Sequence, residues 1–152
     1  MKLSPKSMKR FLNLYPPYIG SGIKITYLSE DWRELHVAMS VRWYNRNAVN
    51  THFGGSLYSM VDPHLMLLFM QLLGKDYFIW DKAADIEFIK ATRKAVKCVI
   101  KISDKDLELI KQHTQAGDKY LPKFCLEIKD ETGEVIAKVN KTLYVKRKPA
   151  KL

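Results

Sequence analysis

Residues 51–63 read THFGGSLYSMVDP, and this stretch decides how the rest of the chain is interpreted. Gly54 and Gly55 open a run that is apolar nearly all round and continues to Leu73. A helix with apolar residues on every side is normally surrounded by protein, so the run predicts a buried central helix that ends at Gly74. Asp62 is the one acid in this run, and a buried carboxylate is costly unless it has partners.

The segments on both sides of this run have the period of β-strands. Apolar and polar residues alternate within residues 23–27, 35–41, 86–88, 96–102, 124–128 and 135–145. Such alternation is typical of antiparallel strands with one buried face. Ser103 additionally predicts the start of a short helix. The sequence therefore predicts an α+β fold in which about six antiparallel strands wrap round one long central helix, as a single domain over residues 1–152.

The first 17 residues predict a short amphipathic helix packed on that core. Ser4 followed by Pro5 is a helix start, and Pro16-Pro17 is expected to end the helix. Lys9 and Arg10 interrupt the segment, so it does not resemble a secretion signal. The longest apolar run of the central helix, residues 65–70, is far shorter than the roughly 20 residues of a membrane span. We therefore expect a cytoplasmic protein without a membrane span.

The net charge of +10 favours an anionic partner, although the same charge also describes a solvated surface. The chain lacks the aromatic signature of an RNA-binding module, which argues against a nucleic-acid partner. Cys98 and Cys125 both lie in apolar alternating runs and are expected to be buried, reduced thiols. The four histidines lack metal-ligand spacing, so neither a metal nor a cofactor is expected.

Residues 47–62, NAVNTHFGGSLYSMVD, resemble a motif of the phenylacetyl-CoA thioesterase branch of the hotdog-fold enzymes. That motif has Asn, two residues, Gly, two residues, His-Gly-Gly and then Asp. Two positions depart from it: Asn50 replaces the first glycine, and Phe53 replaces the histidine, with His52 one place earlier. Asparagine tolerates left-handed backbone angles, so the turn at Asn50 is expected to survive. The flanking words RWYNRN, WDKAADIEF and KTLYVKRK resemble a less characterised thioesterase-like subgroup.

This resemblance implies an acyl-CoA thioesterase that works as a dimer or a dimer of dimers. Asp62 is then the catalytic acid, as nucleophile or as the base that activates water, and the amides at Gly54 and Gly55 form an oxyanion hole. Asn47 is either a group that orients water or substrate, or a simple loop residue. The one-residue shift leaves the catalytic role of His52 open. The other predicted site residues bind substrate, as hydrogen-bond supports or as phosphate ligands: Ser56, Ser59, Lys90, Arg93 and Lys94.

Several alternatives remain open at the level of sequence. On an unbroken helix, Asp62 would share a face with Gly55, about 10 Å along the axis. Asp62 followed by Pro63 is also the pattern of an N-cap that starts a second helix. The two glycines would also suit an ordinary turn. Lys90, Arg93 and Lys94 would also suit a turn whose charges only keep the surface solvated. The alternative function is a hotdog domain that binds acyl-CoA or an acyl-carrier protein without cleaving it.

Overall fold

The computed structural model describes residues 3–149, so the predicted domain's outermost residues, 1–2 and 150–152, lie outside it. The described chain contains five helices and seven strands. In chain order they are α1 (Pro5–Asn13), α2 (Pro16–Ser21), β1 (Ile23–Leu28), β2 (Glu34–Met39), α3 (Gly54–Ser59), α4 (His64–Leu73), β3 (Tyr77–Phe88), β4 (Val96–Lys101), α5 (Asp104–Thr114), β5 (Lys119–Tyr120), β6 (Lys123–Asp130) and β7 (Val135–Arg147).

The strands form one antiparallel sheet in the order β1-β2-β4-β6-β7-β3, with the short β5 beside β7. Buried residues of α3 and α4, among them Leu57, Leu65 and Phe69, form one core with the inward side chains of the strands. This is the predicted hotdog arrangement, with seven strands instead of about six. The extra strand is the two-residue β5, which is too short to give an alternating pattern.

The predicted central helix extends over residues 54–73 and consists of two segments. α3 ends at Ser59 and α4 begins at His64, with a turn at residues 60–63. Pro63 has no N–H and cannot continue the hydrogen bonding of α3. The break agrees with the alternative in which a second helix starts near Pro63, but Asp62 is not its N-cap, because Pro63 takes the cap position and no side chain caps α4. The Asp62 carboxylate is therefore free to contact other elements.

The N-terminal segment packs on the core through α1 and α2. Ser4 accepts a hydrogen bond from the Ser7 amide and starts α1 as predicted, while Met8 and Leu12 are buried. Pro16-Pro17 does more than end a helix, because it starts α2, where proline is tolerated in the first turn. No helix within residues 3–149 combines the length and the apolar character that crossing a bilayer requires.

The two cysteines differ in their environment. Cys98 is buried as predicted, and burial raises its pKa to about 12. Cys125 is exposed, so the prediction for it is wrong. The register of β6 explains the difference, because Leu126 and Ile128 point into the core and Cys125 lies on the opposite face of the strand.

The two outer edges of the sheet differ in how they are covered. At β1, the side-chain amide of Asn13 donates to the Ile25 carbonyl at 3.0 Å and accepts from the Ile25 amide at 2.7 Å. Lys9 of the same helix donates to the Thr26 carbonyl at 2.6 Å. α1 thus pairs with the backbone of β1. β3 is hydrogen-bonded to β7 on one side only, so over the described residues its other edge stays open along 12 residues.

Candidate active site

Gly54 and Gly55 form the first turn of α3. The amides of Ser56 and Leu57 both donate to the Phe53 carbonyl, whereas those of Gly54 and Gly55 make no hydrogen bond to any residue in the 3–149 range. A Cβ at Gly54 would lie 3.0 Å from the Phe88 ring, and one at Gly55 would lie 2.7 Å from the Phe53 ring. A side chain at either glycine would thus displace one of two exposed aromatic rings, and the amides of both glycines remain free to bind an acceptor.

Asn47 organises the loop that leads to these glycines. Its Nδ2 donates to the Thr51 hydroxyl at 2.9 Å and to the His52 carbonyl at 3.1 Å, and its Oδ1 accepts from the amides of Val49 and Thr51. Asn50 has a φ of 63°, the left-handed conformation expected for asparagine where the related motif has glycine. The amide group of Asn47 is therefore fully engaged within its own loop.

His52 joins this loop to the connection between β3 and β4. Its backbone amide donates to the Thr92 carbonyl at 3.3 Å, and Nε2 lies 2.8 Å from the Lys94 carbonyl. A carbonyl only accepts, so Nε2 carries the proton of the neutral imidazole. Burial lowers the pKa of His52, which favours this neutral form. His52 thus braces two loops against each other.

A cavity of about 260 Å³ lies between these two loops. Four of the predicted site residues line it, namely Asn47, His52, Gly54 and Lys90, together with apolar side chains such as Phe88. Gly55, Ser56, Ser59, Asp62, Arg93 and Lys94 do not line it. We call it the glycine cavity. The structure therefore brings one of the two glycines together with Asn47 and His52, but leaves Asp62 outside within a single chain.

Asp62 lies in the break between α3 and α4, where two side chains hold it. The Tyr58 hydroxyl donates to Oδ1 at 2.6 Å, and Lys141 Nζ lies 3.1 Å from the same oxygen and also contacts the Asp62 carbonyl. Asp81 of β3 contacts Lys141 Nζ at 2.8 Å. The Lys141 side chain is fully buried, whereas that of Asp62 is 45% exposed. Oδ2 makes no hydrogen bond within the described residues, so one carboxylate oxygen is available.

Sequence reasoning missed Lys141, Tyr58 and Asp81. A signal for Lys141 existed, because it occupies the inward position between Val139 and Leu143 in the alternation of β7. A lysine at such a position needs an anionic partner, and Asp62 is the acid that the sequence places in the apolar run. Burial, followed by the hydrogen bond to Asp62, raises the pKa of Tyr58, so the phenol stays neutral and donates.

The predicted substrate-binding residues are scattered. Ser59 donates to the Gly55 carbonyl at 2.8 Å, and Ser56 is buried in α3. Lys90 pairs with Glu134 at 2.7 Å, and Lys94 lies 3.7 Å from Asp130. Arg93 is exposed in the same connection. A further cavity, of about 1090 Å³, lies at the opposite end of β3 and β7, and none of the predicted site residues lines it.

Comparison with known proteins agrees with this fold. The family model described as "Domain of unknown function (DUF4442)" matches residues 5–145. None of the curated proteins matches the chain in sequence. Among solved structures, a Pseudomonas aeruginosa protein of unknown function, described as a probable thioesterase, superposes with a TM-score of 0.81 at 16% identity, covering 97% of this chain and 98% of that one.

Two further structures superpose at low identity. A thioesterase from Haemophilus influenzae gives a TM-score of 0.68 at 12% identity, covering 97% of this chain and 93% of that one. Thioesterase superfamily member 2 from Mus musculus gives 0.66 at 13% identity, covering 95% and 98%. At such identities the likeness establishes the fold. The chain therefore has the hotdog fold, and it belongs to the family described as DUF4442.

Proposed function

We propose that this protein hydrolyses acyl-CoA thioesters, with Asp62 as its catalytic carboxylate. The observation that carries the proposal is the environment of Asp62. Tyr58 and the buried Lys141 hold Oδ1, while Oδ2 is unbonded and the side chain is 45% exposed. Because the side chain is half-exposed, this second oxygen can be reached by a substrate or by an attacking water. The unpaired amides of Gly54 and Gly55 supply the second element that thioester hydrolysis requires.

The two groups divide the reaction between them. The thioester oxygen accepts hydrogen bonds from the Gly54 and Gly55 amides, which stabilise the negative charge that develops on it. Asp62 Oδ2 either attacks the carbonyl carbon, giving an acyl-enzyme anhydride that water then hydrolyses, or takes the proton of an attacking water. Both routes release CoA as the thiol. The substrate therefore supplies the only coenzyme, and no other cofactor is part of the proposal.

The proposal requires a dimer, because Asp62 does not line the glycine cavity of its own chain. The open edge of β3 supports this requirement, since an unpaired edge of 12 residues is a template for another strand. We propose that two copies pair antiparallel along β3. Light scattering should then give at least twice the 17.7 kDa of the chain, and a single-chain mass at micromolar concentration would contradict it.

Antiparallel pairing would bring the two halves of the site together. Phe88, at the end of β3, lines the glycine cavity, whereas Asp81, near its start, contacts Lys141 beside Asp62. In an antiparallel pair, the end of one strand lies near the start of the other. The glycine cavity of one protomer would then face the Asp62 of its partner. The location in the cytoplasm stays a prediction from the sequence.

The test is hydrolysis of a panel of acyl-CoAs with a reagent for the released thiol, performed on wild type, Asp62→Asn and Asp76→Asn. Asp76 is exposed, and its side chain makes no hydrogen bond in the described chain, so it is a matched control. We expect Asp62→Asn to lower kcat by about 10³-fold or more, as the loss of a nucleophile or base does. Equal rates for the two variants would remove Asp62 from the mechanism.

A hotdog domain that binds acyl-CoA without cleaving it is the second candidate. His52 is bonded to the Lys94 carbonyl and Asn47 to its own loop, so neither polar group is left to act on a substrate. This favours binding without cleavage. Saturable binding of acyl-CoA without release of thiol would establish this function. Turnover that depends on Asp62 would exclude it.

A further inference from the structure

Three arginines converge on a second cavity, of about 430 Å³, that the proposed chemistry does not use. Arg42 and Arg46 come from the loop after β2, and Arg93 comes from the connection between β3 and β4. Val41, Trp43 and Asn50 complete the lining, so no acid borders the cavity. None of the three guanidinium groups forms an ion pair within residues 3–149. We call it the arginine cavity.

The backbone that carries Arg42 and Arg46 is held in place by Asn45. This side chain is buried, and its Oδ1 accepts from the Arg42 amide at 2.6 Å. Its Nδ2 donates to the carbonyls of Ser21 and Ser40, both at 2.9 Å. The loop is thus tied to the ends of α2 and β2. Because the backbone is already ordered, binding an anion here costs little conformational entropy beyond that of the arginine side chains.

His52 fixes Arg93 relative to the other two arginines. It bonds to the carbonyls of Thr92 and Lys94, the residues on either side of Arg93, and it pairs with Arg46 in an isolated β-bridge. His52 therefore holds together the two loops that supply the three guanidinium groups. Three like charges at one cavity repel each other, and an anion with more than one negative charge would relieve this repulsion.

Trp43 adds an aromatic surface to the same cavity. Its side chain is 82% exposed, and the neighbouring Tyr44 contacts it edge-on, with ring centroids 5.5 Å apart. An indole exposed to this degree beside unpaired arginines is the combination that binds a phosphorylated nucleoside, because guanidinium groups chelate phosphate and an indole stacks on a base.

We infer that the arginine cavity binds the nucleotide half of coenzyme A, a 3′-phosphorylated adenosine diphosphate. This inference rests on the proposed function and names its leaving-group subsite. Neighbouring residues of the same loops line the two cavities: Arg46 and Arg93 border the arginine cavity, while Asn47 and Thr92 border the glycine cavity. The pantetheine arm would cross between them, with its thioester at Gly54.

This assignment replaces two of the three basic residues predicted from the sequence to bind phosphate. Lys90 and Lys94 have Glu134 and Asp130 as neighbours, so their charges are already compensated. Arg93 is retained. Arg42 and Arg46, which the sequence did not single out, take the places of the two lysines.

The first test measures binding of adenosine 3′,5′-bisphosphate by calorimetry to wild type, Arg42→Gln, Arg46→Gln and Arg93→Gln. Arg10→Gln is the matched control, because Arg10 is exposed on α1 and forms no ion pair within the described residues. We expect each cavity variant to raise Kd about fivefold to tenfold, the effect of losing a charged hydrogen bond, and the control to leave Kd unchanged. Failure of wild type to bind, or equal Kd values for control and cavity variants, would overturn the inference.

Trp43 gives an independent readout. Stacking of adenine should quench the fluorescence of this exposed indole, and Trp43→Leu should abolish the quenching and weaken binding about tenfold. Trp80→Leu is the control, because Trp80 stacks on Tyr144 at 4.0 Å and does not line the cavity. If the fluorescence quenching disappears in Trp80→Leu and persists in Trp43→Leu as in wild type, Trp43 has no role in binding.

Kinetics separate this inference from the proposed activity. The arginine variants should raise KM for acyl-CoA and leave both kcat and the KM for the matching acyl-pantetheine, which lacks the nucleotide, unchanged. An equal rise of KM for both substrates would overturn the subsite. One outcome is that wild type binds the nucleotide, that the arginine variants bind it less well, and that no thioester is cleaved. In that case the subsite is supported and the proposed hydrolysis is contradicted. If thioesters are cleaved with a KM insensitive to the arginines, only the subsite fails.

Discussion

Lys141 carries an ammonium group that is fully buried against two carboxylates, those of Asp62 and Asp81. A buried charge is tolerated only with such partners, and truncating one member leaves the others without compensation. Its inward position in β7 therefore couples the stability of the core to the placement of Asp62. Within the proposed mechanism, Lys141 is a positioning residue, because it contacts Asp62 and not the substrate.

We expect Lys141→Met to lower the free energy of unfolding by about 1–3 kcal/mol, since the two acids lose their partner but are partly exposed and regain water. We also expect kcat for acyl-CoA to fall at least tenfold, with KM nearly unchanged, because Oδ1 of Asp62 is no longer held. Urea denaturation and steady-state kinetics measure the two effects.

Lys138→Met is the control for this prediction. Lys138 lies on the outward side of β7, 3.9 Å from Glu127, and surface pairs of this kind contribute less than about 1 kcal/mol. Equal stability and equal kcat for the two variants would show that Lys141 neither stabilises the core nor positions Asp62.

At the scale of elements, β3 determines which edge of the sheet can receive a partner. α1 covers β1 through Asn13, whereas β3 lacks a cover within residues 3–149. The amides of successive residues in a strand point to opposite edges. The register of β3 against β7 shifts between Asp81 and Ala83, and the pairing is regular from there on. Of the next two residues, Ala84 and Asp85, one therefore directs its amide to β7 and the other to the open edge.

We compare Ala84→Pro with Asp85→Pro. Each proline removes one backbone hydrogen-bond donor. The variant whose lost amide faces β7 should unfold at a lower urea concentration than wild type. The variant whose lost amide faces the open edge should stay folded and dissociate to the 17.7 kDa chain. Light scattering and circular dichroism measure mass and fold. If both folded variants keep the mass of wild type, the dimer does not form through β3.

For the whole molecule, His64 makes stability depend on pH. Its ring is fully buried, Nε2 lies 3.2 Å from the Tyr18 hydroxyl, and Nδ1 has no hydrogen-bond partner within the described residues. Burial above all, together with the charge of Lys141, lowers the pKa of His64 to about 4, and the Met60 backbone and Asp62 oppose this shift only in part. His64 therefore stays neutral in the folded protein.

The unfolded chain binds a proton at His64 below its ordinary pKa of about 6.5, and the folded protein does not until about pH 4. The contribution of neutral His64 to the free energy of unfolding should thus be fully present above pH 6.5. It should fall by about 3 kcal/mol as the pH drops to 4. His64→Gln, which can still bond to Tyr18, should lack this component. Urea denaturation at several pH values compares the two, and parallel pH curves would contradict the prediction.

The local pattern of the chain was sufficient for the type of fold. Period-two alternation predicted most of the strands, and the apolar run from Gly54 to Leu73 predicted their central helical element. These features are encoded locally, because the burial of a face repeats every two residues in a strand and covers every side of an enclosed helix. Ser4 and Ser103 likewise predicted the starts of two helices through bonds to amides three residues away.

The candidate site depends on contacts between residues that are far apart in the sequence. Lys141 reaches Asp62 across 79 residues, and His52 reaches the Lys94 carbonyl across 42. Which carboxylate a lysine meets is decided by strand register and by the break at Pro63, and both result from packing of the whole sheet against the helices. The alternation of the strands and the apolar run were enough to predict an α+β domain with a central helix, and the resemblance of residues 47–62 pointed to the hotdog fold, to Asp62 and to the glycines. The separation of Asp62 from Gly54 within one chain, and the meeting of three arginines at one cavity, depend on how distant segments pack, which no local pattern encodes.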